Sequence, residues 1–191
     1  MSDVLHDLFT NQQIRKLFYR TRYLLALLLV LPLARYMHPR LLPIAIGLSL
    51  IGQLIQGWCF ASLVKNRELS IRGPYLLVRN PMYLGRYFLI LGFIVLLSSP
   101  LAIVGYTVLY YLYMLYRVKR EERRLNRAYT EEFRRYCAEV RRFWPSWGKI
   151  REPAVRFWDN VMFLENNGHW NILLTLVAYV AVTTLHIVAF A

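Results

Sequence analysis

Arg79-Asn80-Pro81-Met82-Tyr83-Leu84-Gly85 opens a stretch that passes through an apolar hairpin to Glu121-Glu122 and closes on Phe143-Trp144-Pro145. Two apolar segments separate the polar ends, about Tyr83 to Leu97 and Leu101 to Tyr116, joined by the uncharged turn Ser98-Ser99-Pro100. A turn that short folds the second segment back beside the first, so both polar ends meet at one membrane face. Gly73-Pro74-Tyr75 reads as a turn just upstream. Pro81 biases Asn80 away from helix and itself suits a first helical turn, so a helix starts here with its free N–H groups toward the cytosol. Such an end favours a carboxylate or phosphate.

Composition points the same way. Of 191 residues, 57% are hydrophobic, and the long apolar runs exclude an ordinary soluble domain. The net charge of +13 comes from Lys and Arg flanking the apolar runs, which is the positive-inside pattern and argues against nucleic acid as a partner. Two cysteines and four scattered histidines offer neither a disulfide framework nor a metal-ligand spacing. Asp3 and Asp7 spoil a basic leader, so no cleavable signal peptide is expected.

The sequence predicts an all-α integral membrane protein with about five spans, near 23–37, 41–64, 83–97, 101–116 and 170–191. Pro32 is a candidate kink in the first span. The second, at about 1.5 Å per residue, reaches roughly 35 Å. The fourth meets no Gly or Pro before about Tyr129, so its helix leaves the bilayer intact as a charged rod. Trp158 and Trp170 are placed as interface anchors. Basic loops put the N-terminus in the cytosol and the C-terminus outside. The chain reads as one domain, 1–191, with a core at 73–147 and a C-terminal segment at 151–191.

Several residues admit two readings. Gln53 and Gln56 share a helical face and either bond between helices or line a polar cavity. Tyr106, Tyr110 and Tyr113, continued by Arg117, Glu121 and Arg124, form one stripe. It is either packing or an aromatic wall leading to a carboxylate, which suits a cationic ligand. Glu121 and Glu122 are either a solvated face or ligand acceptors. Arg79 is either an interface charge or a clamp for an anionic acceptor, and Arg86 either snorkels or faces lipid phosphate.

Taken together, Gly73-Pro74-Tyr75, Arg79 through Gly85, Glu121-Glu122 with Leu125, Glu131-Glu132-Phe133, Tyr136, Val140 and Phe143-Trp144-Pro145 resemble the isoprenylcysteine carboxyl methyltransferase and phospholipid methyltransferase superfamily. The resemblance covers about 75 residues. It implies an integral membrane enzyme with a cytosolic pocket for S-adenosyl-L-methionine, acting on a lipid or lipidated substrate without a metal. It further implies cofactor binding by Tyr75, Asn80, Pro81, Tyr83, Gly85, Glu121 and Glu122, with Arg79 catalytic. Arg86, Gln53, Gln56 and Tyr113 are the substrate-side candidates.

The chain departs from the family pattern at three positions. Asn80 stands where the family has His, Thr130 replaces a Gly and Phe133 replaces a Tyr. Asn exchanges hydrogen bonds but does not titrate near neutral pH. An anionic oxygen acceptor is therefore expected, either a prenylcysteine-type carboxylate or a lipid phosphate. The alternatives are an amine of a phospholipid, an NADPH-dependent sterol-type reductase sharing the Asn-Tyr-x-Gly segment, and a non-catalytic scaffold. The oligomeric state is left open.

Overall fold

The computed structural model describes residues 29–64 and 68–190, and among these every regular element is a helix. Residues 23–28 of the expected first span, and the basic cluster before it, lie outside the described residues; 29–36 are helical. The long helices are α1 (Leu42–Phe60), α2 (Pro81–Val95), α3 (Pro100–Ala128), α4 (Thr130–Glu139), α5 (Asn160–Glu165) and α6 (Gly168–Ala189). Among the described residues, three stretches are long and apolar enough to cross a membrane, Pro39–Phe60, α3 and α6, and α2 is a shorter apolar helix.

Local chemistry explains the boundaries. Pro81 sits at the first position of α2, as its fixed φ allows. Ser99 caps α3, its hydroxyl accepting from Ala102 N at 3.3 Å. With 29 residues, α3 extends about 43 Å, some 13 Å more than the hydrocarbon core. Its last turns therefore stand clear of the bilayer, as the unbroken sequence predicts.

Helices α1 and α2 cross at their glycines. A Cβ at Gly85 would lie 2.8 Å from Gln56 Cγ and 3.0 Å from Gly52 O, and one at Gly52 would collide with the backbone at Leu89. Ser49 Oγ donates to Leu89 O at 2.8 Å in the same contact. Small residues let the backbones approach where lipid provides no hydrophobic drive between helices. Helix α2 is bound to α3 on its other side by tyrosines. Tyr106 donates to Tyr87 O at 3.0 Å and Tyr110 to Tyr83 O at 2.7 Å.

The C-terminal segment returns to α1. Asn166 Nδ2 donates to Phe60 O, at the end of that helix, and to Leu63 O just beyond it, both at 2.8 Å. Gln53 Nε2 donates to Asn171 O at 3.0 Å and to Thr175 Oγ1. The chain divides into two compact units, and His38–Leu176 forms the one that carries the motif residues. In the other, His186 Nδ1 lies 2.8 Å from Ala34 O.

Candidate functional site

Where α3 emerges, a cleft of about 720 Å3 opens against the start of α2. One wall is the α3 stripe Arg117, Glu121, Arg124, Leu125 and Ala128. The facing wall is Asn80, Met82, Tyr83 and Arg86 from α2 and the residue before it. Tyr75, Arg79 and Tyr136 close the back, and residues 63–64 and 68–70 complete the rim. The size is that of a small-molecule site.

Glu121 faces this space. Tyr83 Oη donates to its Oε2 at 3.0 Å, the single hydrogen bond that described residues make to this carboxylate. Arg117 is also in reach of the Tyr83 hydroxyl. Tyr75 and Tyr136 are buried behind, and Tyr136 Oη donates to Tyr75 O at 2.7 Å. Burial pushes both phenols well up from their ordinary range, so both remain neutral.

Glu122, one residue on, points away. Its side chain is 12% exposed and pairs with Arg79 at 3.4 Å. Arg142 Nε donates to the same oxygen, Oε1, at 3.1 Å and its Nη2 to Oε2, and this pairing raises the affinity of Arg142 for its proton. Arg79 also donates to Cys137 Sγ, and its backbone N–H to Arg141 O at 3.0 Å. Ser146 N donates to Leu77 O at 2.8 Å, and Asn80 Nδ2 reaches Arg142 O at 3.4 Å. Segment 140–146 is thus a strap laid along 77–80, with Glu122 at its centre.

The structure brings together Tyr75, Arg79, Asn80, Tyr83, Arg86 and Glu121 of the residues singled out in the sequence. Others take structural positions. Pro81 is buried at the helix start, and Gly85 and Gln56 meet in the α1–α2 crossing. Gln53 clamps the C-terminal segment rather than lining the cleft. Tyr106 and Tyr110 pack with Tyr87 inside the hairpin, the former at 5.5 Å between ring centroids. Tyr113 packs against Tyr110 with its ring tilted 55° and centroids 6.0 Å apart, and it is 41% exposed and does not line the cleft. Sequence reasoning did not find the rim at 63–64 and 68–70, which carries no motif, nor a lining role for Tyr136, whose only signal was its place in the family pattern.

The lining chemistry fits a sulfonium cofactor with a ribose. Glu121 has acceptor capacity left beyond its bond to Tyr83, and its neighbours are aromatic. Four arginines against two glutamates, Glu68 and Glu121, leave the cleft net positive. No histidine lines it among the described residues.

No characterised protein and no solved structure matched the chain in comparisons with known proteins. Residues 44–132, from α1 into α4, do match the model of the phospholipid methyltransferase family, which lies in the membrane methyltransferase superfamily that the motifs resemble.

Proposed function

We propose that the chain transfers a methyl group from S-adenosylmethionine to an anionic oxygen of a lipophilic acceptor, at the cytosolic face of a membrane. The observation that carries this is the cleft itself, one polar-apolar space with a carboxylate beside an excess of arginines and no histidine. When bound, the cofactor supplies an electrophilic methyl group on a sulfonium.

Glu121 accepts hydrogen bonds from cofactor hydroxyl or amino groups, and Tyr83 holds that carboxylate in one orientation. Asn80 and Tyr75 border the same space. The cleft walls align the two reactants and exclude water, which suffices for an in-line transfer to an oxygen that is already ionised. An amine would first have to lose a proton, and Asn80 is no base. Topology by charge places the cleft and N-terminus in the cytosol and the C-terminus outside.

The matched family is described by its phospholipid substrates, and this favours N-methylation of a phospholipid amine as the second reading. Glu121 or Glu68 would then accept the proton. Incubation of membranes with methyl-labelled cofactor separates the two by chemistry. A label on oxygen is lost in mild alkali as a methyl ester or on acid hydrolysis as a phosphotriester, and a label on nitrogen withstands both. An N-methyl label alone replaces the first reading with the second. Thermal stabilisation by NADPH and not by S-adenosylhomocysteine would replace both with a reductase.

A further inference from the structure

The geometry points to Arg86 and Arg117 as the seat of the acceptor's oxyanion, with Arg79 belonging to the wall behind. This deepens the methyl-transfer reading and rests on it. The three arginines differ in what already neutralises them. Arg79 is paired with Glu122 and bonded to Cys137. Among the described residues, no carboxylate comes within ion-pair distance of Arg86 or Arg117. The buried Nε of Arg117, like that of Arg79, has no hydrogen-bond partner, and Glu121, one turn along α3, acts on Arg117 only beyond ion-pair distance.

Both guanidinium groups converge on Tyr83. Arg86 Cζ lies 5.9 Å from the ring centroid, and Arg117 approaches the hydroxyl. Both residues line the cleft. Two forks at one aromatic ring, neither in ion-pair contact with a described carboxylate, leave a place in the cleft where an oxyanion is attracted by both.

Depth narrows the occupant. Helix α2 has 15 residues and reaches only about 22 Å, against about 30 Å of hydrocarbon. With the Ser98–Pro100 turn at the far interface, the start of α2 is sunk below the near one. The α-carbon of Arg86 lies about 14 Å along the helix from Val95. Its side chain leans toward the helix N-terminus and so into the cleft. An ionised residue at that depth is costly unless it has an anionic partner. The occupant is therefore an amphiphile with its oxyanion attached close to hydrocarbon, either a phosphate or a carboxylate.

The test titrates the full chain in detergent with phosphatidic acid, with oleate and with phosphatidylcholine, reading dissociation constants by thermophoresis. S-adenosylhomocysteine binding is followed separately by calorimetry. Arg86→Gln and Arg117→Gln are each expected to weaken one of the two anionic lipids about tenfold, and the arm affected names the phosphate or the carboxylate. Arg123→Gln, on the exposed surface of α3, is expected to leave all three titrations unchanged.

Arg86→Lys and Arg117→Lys keep the charge and lose the fork, so each should show a smaller loss, and they carry the test if the Gln variants do not fold. Unchanged lipid binding in both positions, an equal loss in Arg123→Gln, or no anionic lipid bound by the wild type overturns the seat. Failure of the wild type to bind S-adenosylhomocysteine overturns the methyl-transfer reading instead, and the lipid titrations still decide the seat.

Discussion

Glu121 and Glu122 are neighbours in sequence and opposites in use. The first lies on the cleft side of α3 with one tyrosine donor. The second lies behind it and ties Arg79 to Arg142 across 63 residues of chain. A helix turns about 100° per residue, so one step is enough to separate a cleft-facing carboxylate from one turned to the strap. The paired acids thus take two positions: one side chain lines the cleft, and the other fixes the strap behind it.

Substitutions at three positions break or sharpen this contrast. Glu122→Gln should have the largest effect, on stability. It leaves the largely buried Arg79 without its carboxylate, at a cost of about 2–3 kcal/mol, somewhat below the range for fully buried pairs because Arg142 is partly exposed. The measurement is the melting temperature in detergent, and an unchanged value would remove the strap from the account. Glu121→Gln should leave melting nearly unaltered while weakening S-adenosylhomocysteine roughly ten- to hundredfold in calorimetry. The reverse pattern would exchange the two roles. Tyr83→Phe removes only the donor to Glu121 and should weaken the same ligand a few-fold, with the lost bond contributing about 1 kcal/mol.

Much of this arrangement was legible in residue order. The Ser98–Pro100 turn and the lack of any helix breaker up to Tyr129 predict the hairpin and the projecting rod, because both are local signals. The stripe through Arg117, Glu121 and Arg124 is the wall of the cleft, since helical phase is itself a local property. Its tyrosine part was ambiguous, and the structure assigns Tyr106 and Tyr110 to packing against the backbone of α2. The Arg79–Glu122 pair was not legible. By spacing Lys119, three residues before Glu122, was the evident partner, and only the folded hairpin brings Arg79 within reach. The contact between Gly85 and Gln56 was hidden for the same reason, as each residue carries a plausible meaning within its own segment.

Asn166 has a consequence for how the chain matures in the membrane. The last carbonyl of α1, at Phe60, and that of Leu63 just beyond it receive their donor from a residue more than a hundred positions later. During synthesis that end of the helix stays open until the C-terminal arm has left the ribosome, and it depends meanwhile on water at the membrane edge. Maturation of the matched domain is therefore a late event that waits for a segment outside it. A nascent chain stopped after residue 150 should keep the hairpin but leave α1 frayed and exposed to quality-control proteases.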